Sequence, residues 1–343
     1  MQLTLAPPFA ELQNYKTIQL TLLLFWLTLT GGYRGWDVPA LVIINFLLWG
    51  ALMAWGIFHA AEIFMHPLAF PLVMLGVANL ASVLQNETWN GLTTVVQWTG
   101  YGVALLWFRR WQIEEIQQVA SWLWPFHVAL AYTPLLFGGW WNNMNVIAAL
   151  IVGLYLLSLK SFHYKSYDIL WLVIIFVTVG WWLESVGGVI ALSVGVVIVL
   201  MKEFDLAIIP LSGLLVGAGY FISPASYLWR LTFWAEAIRL FTLRPYLGIG
   251  SNQFKVVSGG ASYLHAHNVI FTTLAETGLV GFVPLAMFLR RVVMANLSSW
   301  SRAVVLPLLI WSLIDEPLRF WGVGAIFILA LSQAENQPGV QQL

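Results

Sequence analysis

The sequence predicts an all-α, polytopic membrane protein with about twelve transmembrane helices, and three observations carry that prediction. Charged residues fill only 9% of the 343 positions while hydrophobic residues fill 60%, against roughly 25% charged in an ordinary soluble domain. Unbroken apolar runs long enough to cross ~30 Å of hydrocarbon recur along the whole chain. The alternating polar and apolar strands of an outer-membrane barrel are missing, so helices are left to bond every backbone amide internally.

Composition also excludes several classes. Fifteen basic residues balance 15 acidic ones, so there is no basic surplus for a nucleic-acid partner. The chain has no cysteine, hence no disulfide frame, thiolate metal site or catalytic thiol. The first apolar run follows Pro7, Pro8, Glu11 and Lys16 and ends without a small-residue cleavage site, so it reads as a span rather than a removable signal.

In order, the apolar runs fall at 17–32, 38–58, 67–84, 91–108, 119–138, 144–159, 167–183, 186–201, 206–222, 268–289, 302–314 and 318–332. The fifth contains Pro125, His127 and Pro134 and could be a broken or re-entrant helix rather than a full crossing. Loop charge tests the count, because short cytoplasmic loops hold excess Lys and Arg. With the N-terminus inside, the inner side receives Lys16, Arg109, Arg110, Lys160, Lys165, Lys202, Arg290, Arg291 and Arg302, and the short outer loops only Arg34 and Arg319. This predicts cytoplasmic termini and an extracytoplasmic connection at 223–266, between spans nine and ten. That connection holds Arg230, Arg239, Arg244 and Lys255, and its length and polarity make it the favoured seat of function. The polar tail after Ser332 reads as a short solvated end.

Two strings in and after that connection are distinctive: RPYLGIGSNQF from Arg244, and HAHNVIFTTLAETGLVGF from His265. They resemble the signature of the O-antigen ligase and polymerase superfamily, bacterial integral-membrane enzymes that handle lipid-linked glycans. Arg230, Trp234 and Ala237 match the amphipathic helix that precedes this signature, and GGWWNNMNVIAAL, with Asn143, Asn145 and Ala148, matches the start of an upstream span. The resemblance covers 138–290. One departure stands out: where the family shows Ser-Arg-Gly, this chain has Ser185, Val186, Gly187 and Gly188, so a basic residue is absent.

The resemblance implies an inverting glycosyltransferase of the bacterial inner membrane, and the missing carboxylate cluster in the loop, with arginines left to do the charge work, predicts that it needs no metal or cofactor. It would move a glycan from an undecaprenyl-diphosphate donor to a glycolipid or glycan acceptor. The residues make a matching chemical proposal. Bidentate guanidinium forks best stabilise charge developing on a departing diphosphate, and Arg230, Arg239 and Arg244 are the available forks. An attacking hydroxyl must lose a proton, and His267, at the mouth of the tenth span, is the candidate general base. His265 ranks second, because it would point elsewhere if the helix began between the two histidines.

Asn268, Thr272 and Glu276 share one helix face at a spacing of four, with Glu276 about 13 Å deeper than His267 and therefore supporting at best. Gly248 and Gly250 read as a tight turn, and Gly278 and Gly281 as sites of close helix packing. Lys255 reads as solvated. His59, Glu62 and His66 share one helical face that could bind a metal, yet the set falls on the predicted cytoplasmic side and is not the zinc-protease pattern, while His127 and His163 read as span-lining and interfacial. Asp315 and Glu316 either simply end the eleventh span or pair with loop arginines.

Ligase, polymerase and protein O-glycosylating members share these motifs, so the acceptor stays open. A membrane transporter, such as an inorganic-carbon uptake homologue, is the competing class, and an inactive scaffold is a third.

Overall fold

The computed structural model describes residues 15–32, 39–132, 144–159, 166–201, 224–258 and 261–333. Among these the chain is helical apart from one short hairpin. The helices are α1 (Tyr15–Gly32), α2 (Pro39–Phe58), α3 (Ala60–Met65), α4 (Ala69–Asn86), α5 (Leu92–Phe108), α6 (Ile113–Ala131) and α7 (Met144–Ser158). They continue with α8 (Ser166–Phe176), α9 (Val186–Met201), α10 (Pro224–Leu243), α11 (Val269–Met294), α12 (Ser299–Ser312) and α13 (Trp321–Ser332). Strands β1 (Val256–Ser258) and β2 (Ala261–Tyr263) pair antiparallel. The all-α expectation therefore holds, with helices over every expected apolar run but one. That run, 206–222, lies outside the described residues.

By length and composition, two described helices, Ala69–Asn86 and Val269–Met294, could cross a membrane, and several shorter apolar helices accompany them. The fifth expected run is not broken at Pro125, because α6 continues through it from a capping box made by Gln112 and Glu115. That box satisfies the first-turn amides. Pro134 lies outside the described residues. The connection 223–266 holds a full helix, α10, where the resemblance implied one.

Helix α7 is the hub. Every residue from Val146 to Leu157 is buried, as befits a helix that is apolar all round. It packs against α6, α9, α12 and α13, while α4 lies between α5 and α11. Long-range hydrogen bonds mark the two ends of the bundle. At one end Ser82 late in α4 donates to the Leu247 carbonyl, Gln97 early in α5 to the Arg319 carbonyl, and Asn145 early in α7 to Asp315. At the other end Arg291 donates to the Pro67 carbonyl, Trp300 to that of Leu157 and Gln333 to that of Phe108. The inner-side basic residues Arg109, Arg110, Arg290, Arg291 and Arg302 belong to this second end, and the polar residues of the connection to the first.

Large apolar side chains also cover much of the outside. Leu47, Ile57 and Trp181 are 66%, 74% and 83% exposed. Such a surface is unusual for a water-soluble monomer.

Candidate functional site

The turn that follows α10 is locked into a break in α11. Gly278, inside α11, has φ +61 and ψ −154, which interrupts the helical ladder. Across the gap the N–H groups of Ile249 and Gly250 donate to the carbonyls of Ala275 and Glu276, at 2.9 and 3.1 Å. Below it the N–H groups of Leu279 and Val280 donate to the carbonyls of Pro245 and Tyr246, at 2.8 and 3.1 Å. The turn thus replaces the hydrogen bonds that the break removes. A Cβ on Gly278 would lie 2.5 Å from the Tyr246 carbonyl carbon, and one on Gly248 would strike the Glu276 backbone. The tight-turn reading of Gly248 and Gly250 agrees with their positive φ angles. Gly278 is corrected: it serves a backbone break in the left-handed region, not packing between straight helices.

Asn268 caps the start of α11. Its side-chain oxygen accepts from the N–H groups of Ile270 and Phe271, at 2.9 and 3.2 Å, which satisfies two of the first-turn donors. Its amide nitrogen donates to the Leu313 carbonyl at 2.8 Å, and its backbone N–H donates to Glu316 at 3.1 Å. The cap therefore ties α11 to the turn after α12. Just before it, His267 adopts φ +53, a left-handed conformation costly for a residue with a Cβ.

That conformation brings His267 onto Asp315, with Nδ1 2.8 Å from Oδ1. The ring also stacks on Phe233 of α10, with centroids 5.6 Å apart and planes 23° apart. The second oxygen of Asp315 accepts from the Asn145 amide at 2.7 Å, and the Asn145 oxygen accepts from the Ser185 hydroxyl at 2.7 Å. A chain of four side chains, Ser185, Asn145, Asp315 and His267, thus links three segments of the resemblance. Val186, where a basic residue is absent, follows directly after its first member.

Arg230 lies beside this pair and donates from Nε to the Ile314 carbonyl at 2.8 Å. Burial pushes the Asp315 carboxyl up, but the His267 hydrogen bond and the electrostatic pull of the His267, His265 and Arg230 side chains outweigh it and hold the group below the usual carboxylate range. His265 converges as well: its ring centroid is 4.4 Å from that of His267. The expectation that it points elsewhere is corrected, because α11 begins after both histidines and the left-handed turn at His267 brings the rings together. Burial first, then repulsion from His267 and Arg319, pushes the His265 imidazole down to about 3 against the pull of Asp315.

The other two arginines are not brought to this point. Arg239 forms an exposed ion pair with Glu236, at 2.6 Å. Arg244 donates to Asn86 at the end of α4. Fourteen residues of continuous helical backbone separate it from Arg230, a rise of about 21 Å.

Asn268, Thr272 and Glu276 do share a face. The Thr272 hydroxyl donates to Glu316, and Glu276 is salt-bridged to Arg319 at 3.1 Å. Arg319 also meets Glu316 at 3.4 Å and Asn252 at 2.9 Å. A cavity of about 30 Å³ opens beside these groups, lined also by Asn79 and Thr94. It has room for about one water molecule.

Sequence reasoning left Arg319 without a role and left the role of Asp315 open. The available signal was the cluster Asp315, Glu316 and Arg319 between two apolar runs, since ionisable groups at a span end are functional candidates by default.

His59, Glu62 and His66 do not converge. His66 Nδ1 accepts from the N–H groups of Leu68 and Ala69, both at 3.2 Å, while His59 stacks on Trp55.

No protein-family model matches the chain, and no curated protein matches it.

Proposed function

We propose that the chain is a polytopic bacterial inner-membrane glycosyltransferase, with its polar end on the outer face and both termini in the cytoplasm. It would transfer an oligosaccharide or polysaccharide from an undecaprenyl-diphosphate carrier to an acceptor hydroxyl. The composition, the exposed apolar side chains and the gathering of basic residues at the opposite end support the membrane reading. The observation that carries the reaction is the His267–Asp315 pair with Arg230 beside it.

In this reading Asp315 holds the Nδ1 proton of His267, which leaves Nε2 to take the acceptor's proton. The acceptor oxygen bonds to the anomeric carbon from the face opposite the carrier. The bond from that carbon to the phosphate oxygen breaks with its electron pair, and the configuration inverts. Undecaprenyl diphosphate departs as an anion, stabilised by the Arg230 guanidinium. Arg244, about 21 Å along α10, would meet a more distant part of the donor or the headgroup layer. Asn268, Glu276 and His265 support the frame that holds His267.

The test is incubation of the purified full chain with undecaprenyl-diphosphate oligosaccharide and, in separate arms, a lipid-A-core glycolipid, additional donor and a serine-containing protein. Acceptor-dependent release of undecaprenyl diphosphate supports the reading, and the productive arm names ligase, polymerase or protein glycosylation. No release in any arm sinks it in favour of a transporter or scaffold.

A further inference from the structure

Three donor atoms from two segments of the chain meet beside the proposed base. One ligand atom each from His265, His267 and Asp315, a ring nitrogen from each histidine and a carboxylate oxygen, lie within 4.8 Å of one another. The carboxylate oxygen is 2.8 Å from the His267 nitrogen and 3.9 Å from the His265 nitrogen. A tetrahedral zinc ion with nitrogen and oxygen ligands at about 2.0–2.2 Å needs neighbouring ligand atoms roughly 3.3–3.6 Å apart. The His267–Asp315 edge must open by about half an ångström and the His265–Asp315 edge close by about as much, while the edge between the two imidazoles, at most 4.8 Å, must close by up to about 1.2–1.5 Å. Rotations of the two imidazoles supply that.

A second observation points to a ligand independently. The Nε2 atom of His265 is buried without a hydrogen-bond partner. Buried polar atoms in native proteins are rarely left so. The Asp315 carboxylate lies 3.9 Å from it, so a cation between them would satisfy both. Among the described residues this is the only group of three metal-ligating side chains that close together. A search of the loop alone misses it, because its carboxylate comes from the turn after α12.

We propose that His265, His267 and Asp315 form a binding site for a zinc-class divalent cation, and that occupation of the site switches the transferase off. Two imidazoles and one carboxylate suit a borderline cation such as Zn²⁺, and leave the fourth tetrahedral position to water. They suit Mg²⁺ and Ca²⁺ poorly, since these require mainly oxygen ligands. The neighbouring charges of Arg230 and Arg319 weaken the site, so the ion is a dissociable one that a chelator removes.

The switch rests on the proposed role of His267, whereas binding does not. In neutral His267 the single ring proton sits on Nδ1, toward Asp315, and Nε2 carries the free electron pair. When the ion takes the Nδ1 pair, that proton moves to Nε2. No pair is then left there for the acceptor's proton, and the Asp315 oxygen that oriented the ring is engaged by the metal. No proton is gained or lost overall.

The experiment uses tag-free full chain in detergent, titrated with ZnCl₂ calorimetrically, with MgCl₂ as control. The expected result is one Zn²⁺ per chain and no Mg²⁺ step, with the Zn²⁺ step lost in His265→Gln but kept in His59→Gln. X-ray absorption at the zinc edge of the wild-type protein should show two imidazoles and an oxygen shell, a reading independent of whether His265→Gln folds. Absence of a stoichiometric step, or zinc bound without imidazole scattering, overturns the site. Transferase activity should fall with site occupancy and return with EDTA. Full activity at saturating occupancy removes His267 from its role as base while leaving the site intact. An inactive protein that still binds zinc at these residues overturns the transferase reading alone.

Discussion

His267 and Asp315 stand 48 positions apart in the chain, yet the imidazole Nδ1 and the carboxylate Oδ1 are 2.8 Å apart. The contact needs a left-handed residue at 267 and a cap at Asn268 that is bonded to the same turn as Asp315. A base and its orienting carboxylate act as a unit, so their mutations should not multiply. His267→Gln is expected to slow transfer by roughly 10²–10⁴-fold with donor binding retained. Asp315→Asn should lower the rate while leaving KM for the acceptor nearly unchanged, and the double variant should be no slower than His267→Gln alone. Initial rates of carrier release measure all three. Losses that multiply would mean that the two residues work independently.

The arginines separate by position. Arg230 lies at the dyad, Arg244 about 21 Å along the helix and Arg239 in an exposed pair with Glu236. Arg230→Ala should weaken donor binding and slow transfer most, with Arg230→Lys between it and wild type because charge survives but the fork does not. Arg239→Ala should leave both donor affinity and thermal midpoint unchanged, since exposed ion pairs contribute little. Equal losses at positions 239 and 230 would show that the arginines bind headgroups and not the diphosphate.

Gly278 and Gly248 predict an effect on folding rather than chemistry. Alanine at 278 must adopt φ +61 with its Cβ 2.5 Å from the Tyr246 backbone. The conformation alone costs on the order of 1–3 kcal/mol, and the clash adds to it. Thermal unfolding of Gly278→Ala in detergent should show a clearly lower midpoint than Gly50→Ala, where an added Cβ meets nothing within 4 Å. A midpoint equal to wild type would mean that the turn 244–250 does not lock into α11.

Helix existence was legible throughout, because long apolar runs dictate it. The partners of the site were not. His267, Asn268 and Arg230 came from local pattern, and Asn145 came with them. The tie of Asp315 to His267 and of Arg319 to Glu276 depends on how α11, α12 and α13 lie against one another, which hydropathy does not encode. Pro125 was misleading for a related reason. A proline removes one hydrogen bond, yet α6, packed along α7, runs on through it.

Orientation is testable at two exposed positions that the bundle puts at opposite ends. Lys255→Cys lies in the connection after α10, and Arg290→Cys near the end of α11. An impermeant maleimide should label Lys255→Cys in cells whose outer membrane alone is permeabilised, and Arg290→Cys only after the inner membrane is lysed. The reverse pattern would put the His267 site in the cytoplasm and end the proposed transfer on the outer face.

The Glu276–Arg319 pair has a structural consequence of its own. Glu276 is 4% exposed at the side chain and Arg319 18%, and the guanidinium also serves Glu316 and Asn252. Removing one partner of a buried pair leaves an uncompensated charge, at a cost of about 3–5 kcal/mol. Arg319→Met strands two carboxylates, so it should destabilise more than Glu276→Gln, which keeps the size of the side chain and an acceptor for the guanidinium. Adding Glu276→Gln to Arg319→Met should recover part of the loss, because it removes one of the stranded charges. Unfolding midpoints of the four proteins test this. If Arg319→Met matches wild type, or if the double variant is the least stable, the pair does not hold α11 to the turn before α13, and Glu276 must be explained by the small cavity it lines.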